Sequence, residues 1–210
     1  MRYGYAGVIL AAGASTRMGQ DKALLRLPDS EQTFLGAAIQ SLQPHTQLVI
    51  VVAGANAESL KPVIYANGAF LVVNPDPAQG QFSSLQVGLQ EVLNRGRDTA
   101  VITHVDRLPV KSETVSALIS RFEEVHSSGQ SLRKWAVVPA IADRAGEIRH
   151  GHPIIAGREL LEAFLRAAPN TTARDIEHHH QPRIEYLPVA DPNILANINT
   201  PEDYNALLSN

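Results

Sequence analysis

Two cations stand close together in the stretch VILAAGASTRMGQDKALL, residues 8–25. Arg17 and Lys22 are five residues apart, and they follow a run of small residues from Ala11 to Ser15. Small residues let a backbone approach a ligand closely, and free backbone N–H groups at such a turn bind phosphate oxygens. We therefore expect this segment to bind a phosphorylated ligand, with the two cations supplying charge. A tight turn carrying two solvated cations is the alternative.

The loop fits neither of two common nucleotide motifs. A dinucleotide fingerprint needs G-x-G-x-x-G, whereas this loop has only Gly13 and Gly19. A P-loop needs a lysine directly after its second glycine, whereas Gln20 and Asp21 separate Gly19 from Lys22. Hydride transfer with a dinucleotide and P-loop ATP hydrolysis are therefore both disfavoured.

Composition excludes several other classes of protein. A chain of 210 residues, 44% hydrophobic and 19% charged, predicts one globular domain over residues 1–210. A net charge of -3 without a long basic run argues against a nucleic-acid partner. The lack of cysteine excludes disulfides, thiolate zinc sites and cysteine nucleophiles, and it suits a reducing cytoplasm. No apolar run approaches the roughly 18 residues of a membrane span, so we expect a cytoplasmic protein without a membrane partner.

Short β-branched runs alternate with amphipathic segments along the chain. Strands are predicted at residues 6–12, 47–54, 70–74, 99–105, 134–141 and 183–189. Helices are predicted at residues 33–43, 83–96, 112–129 and 157–168, and in the segment that follows the N-cap Thr200 and Pro201. This alternation predicts a three-layer, Rossmann-like α/β fold with a mostly parallel central sheet. The phosphate loop then follows the first strand, at the sheet edge where open α/β folds bind ligands.

The opening loop resembles the signature L-A-A-G-x-S-x-R-M-G-x-x-K of the molybdenum-cofactor nucleotidyltransferases, with every fixed position filled from Leu10 to Lys22. Four further segments resemble elements of that family in the same order: NPDPAQGQFSSLQVGL, THVDRLPV, RHGHPIIAGRELL and NINTPEDY. The resemblance covers nearly the whole chain. It implies a nucleotidyltransferase fold and activity.

In that family, the phosphate of an acceptor attacks the α-phosphorus of a nucleoside triphosphate, and pyrophosphate leaves. Negative charge accumulates during the transfer, so cations that are already in position stabilise it. The resemblance implies that Arg17, Lys22 and Asp106 are the catalytic residues. It implies a nucleotide-binding set of Leu10, Ala11, Ala12, Gly13, Ser15, Arg17, Lys22, Gly80, Ser83 and Ser84. For one of the two serines, ordinary helix capping is an equal alternative.

Asp106 is the candidate ligand for Mg²⁺, the implied cofactor. It directly follows the buried run AVITHV, which would bring its carboxylate to the same sheet edge as the loop. A turn or helix cap is the alternative for a lone aspartate after a strand. The resemblance implies a second metal contact from the C-terminal segment, where Asn197 is the candidate. Asn197 or Asn199 could instead hold the turn before Thr200.

The segment after Asp106 departs from the family pattern D-x-P. Here Arg107 and Leu108 follow the aspartate, and proline is delayed to Pro109. Arg107 is therefore a cation close to the phosphates; it binds an acceptor phosphate or points outward, and we favour the second. In the G-H-P element, His152 is the candidate acceptor-binding residue, with a hydrogen-bonded loop histidine as the alternative.

Two other features receive structural interpretations. Three consecutive histidines, His178 to His180, cannot easily converge on one ion, because neighbouring side chains point in different directions. They are interpreted as a surface cluster. Trp135 is interpreted as a core residue.

The resulting expectation is transfer of CMP from CTP to molybdopterin, with release of pyrophosphate. CTP is favoured because the family's cytidylyl branch reads A-A-G, with Ala12 where the guanylyl branch commonly has glycine. A molybdoenzyme that receives the product is an expected partner. The alternatives are a guanylyl or sugar-phosphate nucleotidyltransferase, or an inactive nucleotide-binding relative that delivers finished cofactor.

Overall fold

Eight β-strands form one sheet in the described part of the chain. The structure is a computed structural model that describes residues 4–13, 18–28, 30–127, 133–143, 145–168 and 171–209, so the predicted site residues Ser15 and Arg17 lie outside the described residues. The strands are β1 (Tyr5–Leu10), β2 (Leu48–Ala53), β3 (Phe70–Val73), β4 (Thr99–His104), β5 (Ala136–Ala142), β6 (Ile148–His150), β7 (Ile154–Gly157) and β8 (Ile184–Pro188). Their order across the sheet is β3-β2-β1-β4-β7-β5-β6, with β8 paired to β5.

The parallel part of the sheet is the part that the sequence predicts. Strands β1 to β4 pair in parallel, and β8 pairs in parallel with β5. All six residues of β1 are buried, as expected for a strand covered on both faces. The prediction of a mostly parallel sheet is thus confirmed. The antiparallel strands β6 and β7 were not predicted: the three residues of β6 are all exposed and carry no apolar pattern, and β7 runs directly into the start of a predicted helix.

The described part of the chain forms seven α-helices, most of which pack on the two faces of the sheet. They are α1 (Phe34–Leu42), α2 (Ala57–Ala66), α3 (Gln81–Asn94), α4 (Ser112–Ser127), α5 (Arg158–Arg166), α6 (Ala173–His179) and α7 (Pro201–Leu208). Sequence analysis missed α2 and α6. Within α2, Pro62 obscured a buried stripe of Ala57, Leu60 and Ile64. None of the described helices is long and apolar enough to cross a membrane.

Hydrophobic clusters lie on both faces of the sheet, which makes the fold three-layered. On one face Ile9 belongs to a cluster that also contains Phe122 of α4, and on the other Val8 belongs to one with Leu89 of α3. Helix α3 packs very closely on the sheet, because a Cβ atom at Gly88 would lie 2.8 Å from the Val52 side chain. This close packing fixes where the first turn of α3 stands relative to the sheet edge.

A third cluster joins the C-terminal helix to the segment that follows β1. Its members are Met18, Leu25, Leu27, Phe34, Leu108, Ile198, Tyr204 and Leu207. The hydroxyl of Tyr204 in α7 donates a hydrogen bond to the Arg26 carbonyl at 2.9 Å. Helix α7 therefore packs against the part of the chain that carries Lys22.

Candidate active site

The carboxyl ends of the parallel strands open into a cleft of about 1070 Å³. The strands β1 and β4 are neighbours, and the Val105 N–H donates to the Leu10 carbonyl at 3.0 Å. On the other side of β1, the Ala11 N–H donates to the Val52 carbonyl at 2.8 Å. The cleft is lined by Leu10, Ala12, Gly13, Gly19, Gln20, Asp21, Lys22, Ala55, Asn56, Ser59, Pro77, Ala78, Gly80, Gln81, Ser84, His104, Val105, Asp106 and Asn199. The loops after β1, β2 and β4 thus meet at one site.

Lys22 meets two oxygen-bearing side chains at one end of this cleft. Its Nζ lies 3.5 Å from Asp106 Oδ2 and donates to Asn199 Oδ1 at 3.0 Å. The Lys22 side chain is 12% exposed and that of Asp106 is 27% exposed, so both charges are partly shielded from water but open to the cleft. We call these three residues the charged corner.

Asn56 ties together the loops that form the floor of the cleft. Its Nδ2 donates to the Ala11 carbonyl at 2.9 Å and to Asp21 Oδ2 at 2.7 Å, while its Oδ1 accepts from the Gly54 N–H at 3.0 Å. Asp21 in turn caps the short turn that begins at Lys22. One carboxamide therefore fixes the ends of β1 and β2 relative to the turn that carries Lys22. Sequence analysis missed Asn56; its place shortly after the second predicted strand was the available signal.

The loops after β1 and β2 approach each other closely at Ala12 and Gly54. A Cβ atom at Gly54 would lie 3.0 Å from the Ala12 carbonyl oxygen, 3.2 Å from Pro77 Cβ and 3.3 Å from Ala12 Cβ. Glycine at position 54 permits this close approach. Ala12, which lines the cleft, is therefore closely packed against the backbone at Gly54.

The first turn of α3 forms another wall of the cleft. Gly80, which precedes the helix, has a φ of +93°, a conformation that favours glycine. The Asn74 carboxamide donates to both Ser83 Oγ and Ser84 Oγ at 2.9 Å. Of the three predicted residues here, Gly80 and Ser84 line the cleft, whereas the Ser83 hydroxyl donates back to the Gly80 carbonyl at 2.8 Å. The helix is capped by Gly80 without a side-chain cap hydrogen bond, so neither serine is its N-cap.

Two histidines and a glutamine form an uncharged group beside Asp106. His104 Nε2 lies 3.1 Å from His152 Nε2, and the Gln81 side-chain amide is hydrogen-bonded to His104 Nδ1. Burial lowers the pKa of His104 to about 4 and lowers the pKa of His152 well below its ordinary value, so both rings are neutral at pH 7. We call these three residues the imidazole corner. His104 faces the cleft, and the predicted residue His152 lies behind it; sequence analysis missed His104 and Gln81.

The chain beyond Asp106 is held by the segment before α7. The Arg107 guanidinium donates to the Ile194 carbonyl at 3.3 Å, and Arg107 is half-buried. The preference for an outward-pointing Arg107 was therefore wrong: its side chain turns inward onto the backbone. Arg107 and Asn197 pair through their backbones. The side chain of the predicted metal ligand Asn197 is exposed and does not line the cleft, whereas Asn199 does.

The three consecutive histidines lie at the end of α6. His178 and His179 are exposed, while the His180 ring packs 4.8 Å from the ring of Trp135. Trp135 itself is half-buried at the margin of the core. Over the described ranges, no group of three or more histidine, aspartate or glutamate side chains is arranged to hold a metal ion.

Two characterised enzymes resemble the chain over most of its length. The molybdenum cofactor cytidylyltransferase of Escherichia coli (strain K12) is 28% identical over 204 residues, which cover 94% of this chain and 92% of that enzyme. The molybdenum cofactor guanylyltransferase of Rhizobium meliloti (strain 1021) is 29% identical over 209 residues, which cover 93% of this chain and 87% of that enzyme. The two relatives act with different nucleotides and match the chain about equally well.

The fold and the sequence agree on the family. The crystal structure of Rv0371c from Mycobacterium tuberculosis H37Rv matches all of this chain over all of its own length, with a TM-score of 0.80 and 25% identity. A manganese complex of Rv0371c matches with a TM-score of 0.74 over 98% of each chain, again at 25% identity. Residues 7–184 match the model of the MobA-like NTP transferase domain, and the chain belongs to that family of nucleotidyltransferases.

Proposed function

We propose that the protein transfers a cytidylyl group from CTP to the phosphate of molybdopterin, with Mg²⁺, and releases pyrophosphate. The observation that carries this proposal is the charged corner. It places the Lys22 ammonium 3.5 Å from the Asp106 carboxylate at the end of a cleft of about 1070 Å³. A cleft of this size accommodates a nucleotide, and its charges stand where the triphosphate would lie.

Lys22 contributes by its position. In the proposed transfer, negative charge grows on the oxygens around the α-phosphorus and on the departing pyrophosphate. The Lys22 ammonium is held in advance by Asn199 and Asp106, so it can stabilise this charge without being reorganised. Arg17 is proposed to bind the triphosphate from the same loop. The backbone at Leu10, Ala11, Ala12 and Gly13 is proposed to hold the nucleoside, with Gly80 and Ser84 at the opposite wall.

The residues at the charged corner fit a divalent cation. Asp106 Oδ2 and Asn199 Oδ1 both already contact one cation, the Lys22 ammonium, and oxygen donors of these two types are the ligands that Mg²⁺ prefers. We propose Asp106 and Asn199 as its protein ligands, in place of Asn197. When bound, Mg²⁺ neutralises charge on phosphate oxygens. The manganese complex of Rv0371c supports a divalent cation in this family.

The preference for CTP rests on Ala12, because one relative uses cytidylyl and the other guanylyl transfer. Ala12 lines the cleft, and its Cβ stands 3.3 Å from where a Cβ atom at Gly54 would lie, so the loop has little room to move back from a bound base. A methyl group there leaves less room for a base that packs against the loop, and a pyrimidine is smaller than a purine. One extra or missing group in such a pocket changes kcat/KM by roughly 10 to 200-fold.

Competition kinetics test the proposal. Pyrophosphate release with molybdopterin is measured for CTP and GTP, with wild-type protein, Ala12→Gly and the control Ala145→Gly, which lies in an exposed turn. We expect CTP to be preferred, Ala12→Gly to narrow the preference, and Ala145→Gly to leave it unchanged. Preference of the wild type for GTP would overturn the cytidylyl assignment. Absence of release with either nucleotide would overturn transfer to molybdopterin.

A further inference from the structure

Two helices of the protein begin with the same capping arrangement. At α6 the Thr172 N–H donates to Asp175 Oδ2 at 2.9 Å, and the Asp175 N–H donates to Thr172 Oγ1 at 3.2 Å. At α7 the Thr200 N–H donates to Asp203 Oδ2 at 2.9 Å, and the Asp203 N–H donates to Thr200 Oγ1 at 3.2 Å. As helix caps the two aspartates are equivalent, and each is worth about 1 kcal/mol in comparable caps.

The cap of α7 makes a contact toward the cleft that the cap of α6 lacks. Asp203 Oδ2 also accepts the Asn199 N–H at 2.8 Å, and the same Asn199 bonds Lys22 Nζ through its Oδ1 at 3.0 Å. The backbone hydrogen bond from Asn199 is the largest of the causes that lower the pKa of Asp203. Asp203 therefore stands two hydrogen bonds away from the ammonium of Lys22, whereas Asp175 does not line the cleft.

Helix α7 also holds the chain four residues beyond Lys22. The Tyr204 hydroxyl donates to the Arg26 carbonyl at 2.9 Å, and the Tyr204 ring lies 6.3 Å from that of Phe34. The chain around Lys22 is thus held at the Lys22 side chain by Asn199, just before α7, and at Arg26 by Tyr204 within α7. Both contacts come from beyond residue 184, where the match to the family model ends.

We propose that Asp203 is a positioning residue for Lys22, acting through Asn199. The carboxylate of Asp203 fixes the Asn199 backbone, and the Asn199 side chain then holds the Lys22 ammonium toward the cleft. The inference rests on the proposed function, in which Lys22 stabilises charge during nucleotidyl transfer. Displacement of such a group by about 1 Å is enough to reduce the rate strongly, while ground-state binding changes less.

The matched pair Asp203→Ala and Asp175→Ala separates positioning from capping. Each variant loses one helix cap, so thermal unfolding should show a similar fall in Tm for both. In pyrophosphate release, Asp203→Ala should lower kcat about tenfold with KM for the triphosphate nearly unchanged, whereas Asp175→Ala should stay within about twofold of wild type. Asp203→Asn, which keeps an acceptor oxygen, should recover part of the loss.

A double variant tests the route through Asn199. If Asp203 acts only through Asn199, then Asp203→Ala combined with Asn199→Ala should be no slower than Asn199→Ala alone. Equal kcat values for Asp203→Ala and Asp175→Ala would overturn the proposal, and so would fully additive effects in the double variant.

A labelling experiment keeps the proposal testable without turnover. Limited acetylation followed by mass spectrometry measures the reactivity of Lys22, with Lys61, whose side chain is 39% exposed, as the internal reference. Release of the ammonium in Asp203→Ala should raise Lys22 reactivity several-fold over Asp175→Ala. If wild type showed this protection but no nucleotidyl transfer, the proposed function would fail and the positioning role would stand. Unchanged Lys22 reactivity would refute the positioning role whatever the activity.

Discussion

The charged corner and the imidazole corner are neighbours at one cleft, but the first consists of paired charges and the second of buried neutral rings. At the charged corner, Lys22 is paired with the Asp106 carboxylate at 3.5 Å and with the Asn199 amide at 3.0 Å. At the imidazole corner, burial keeps His104 and His152 neutral, and a hydrogen bond and an edge-to-face ring contact join them. His104 and Asp106 are two residues apart in sequence, so one loop serves both arrangements.

This difference in charge fits the proposed function, in which one cleft binds both a nucleoside triphosphate and an acceptor. A triphosphate brings high negative charge and is best met by a fixed cation and an oxygen set for Mg²⁺. Neutral imidazoles beside it add no further charge that would compete for the triphosphate, and each neutral ring carries one donor and one acceptor nitrogen. We therefore expect substitutions in the charged corner to alter rate and those in the imidazole corner to alter stability and its dependence on pH.

The largest effect is expected from Lys22→Ala. Loss of a prepositioned donor to developing charge typically lowers kcat by about 10² to 10³-fold. Steady-state pyrophosphate release measures this, and Lys61→Ala on α2 serves as the matched loss of a lysine outside the cleft. If Lys22→Ala were about as active as Lys61→Ala, the result would contradict the catalytic role of Lys22 and favour the alternative interpretation of the loop as a tight turn with solvated cations.

A smaller effect is expected at the imidazole corner, on stability rather than on rate. The folded-state pKa of His104 is about 4, below the unfolded value of about 6.5; burial is the main cause, opposed by Asp106 and reinforced by Arg107. The stability of the neutral ring is therefore fully present above about pH 6.5 and is lost as pH falls from there toward 4.

Urea unfolding at pH 7.5 and pH 5.0, with a chelator present, measures this loss. Between these values the wild type should lose about 2 kcal/mol more free energy of unfolding than His104→Gln, which cannot titrate. Equal losses in the two proteins would show that His104 is not held neutral by burial.

The smallest effect distinguishes two asparagines that stand two residues apart. Asn199→Ala removes the Lys22 contact and should lower kcat about tenfold, whereas the exposed Asn197 should tolerate alanine within about twofold. The same pyrophosphate assay compares them. A larger fall in kcat for Asn197→Ala than for Asn199→Ala would contradict the proposed role of Asn199 and favour Asn197 as the metal ligand.

The sequence predicted the parallel strands and the place of the main loop well, because both depend on local pattern. Continuous apolar runs predicted β1, β2 and β4, and the motif from Leu10 to Lys22 predicted a nucleotide ligand for the loop after β1. Asp106 was found because it directly follows a strand, and the structure brings it to Lys22. These features can be read within a window of a few residues.

The features that the sequence did not predict depend on contacts between distant segments. Whether Asn197 or Asn199 faces the cleft is set by the pairing of Arg107 with Asn197, which no local pattern reveals. The inward turn of Arg107 depends on the carbonyl of Ile194. His104 looked like an ordinary strand residue until its contacts with Gln81 and His152 were seen. Helix α2 was not predicted because Pro62 lies inside it, and proline is disfavoured in the interior of a helix.

The bond between Lys22 and Asn199 has a consequence for the order in which the protein is made. The two residues are 177 positions apart. At translation rates of about 5 to 20 residues per second, Lys22 is synthesised roughly 10 to 35 s before Asn199. The strands that form the floor of the cleft can pair during this interval, but the lysine has no partner from the C-terminal segment until α7 leaves the ribosome. The contact that holds the Lys22 ammonium at the candidate site thus forms only after a segment 177 residues further along the chain has been synthesised.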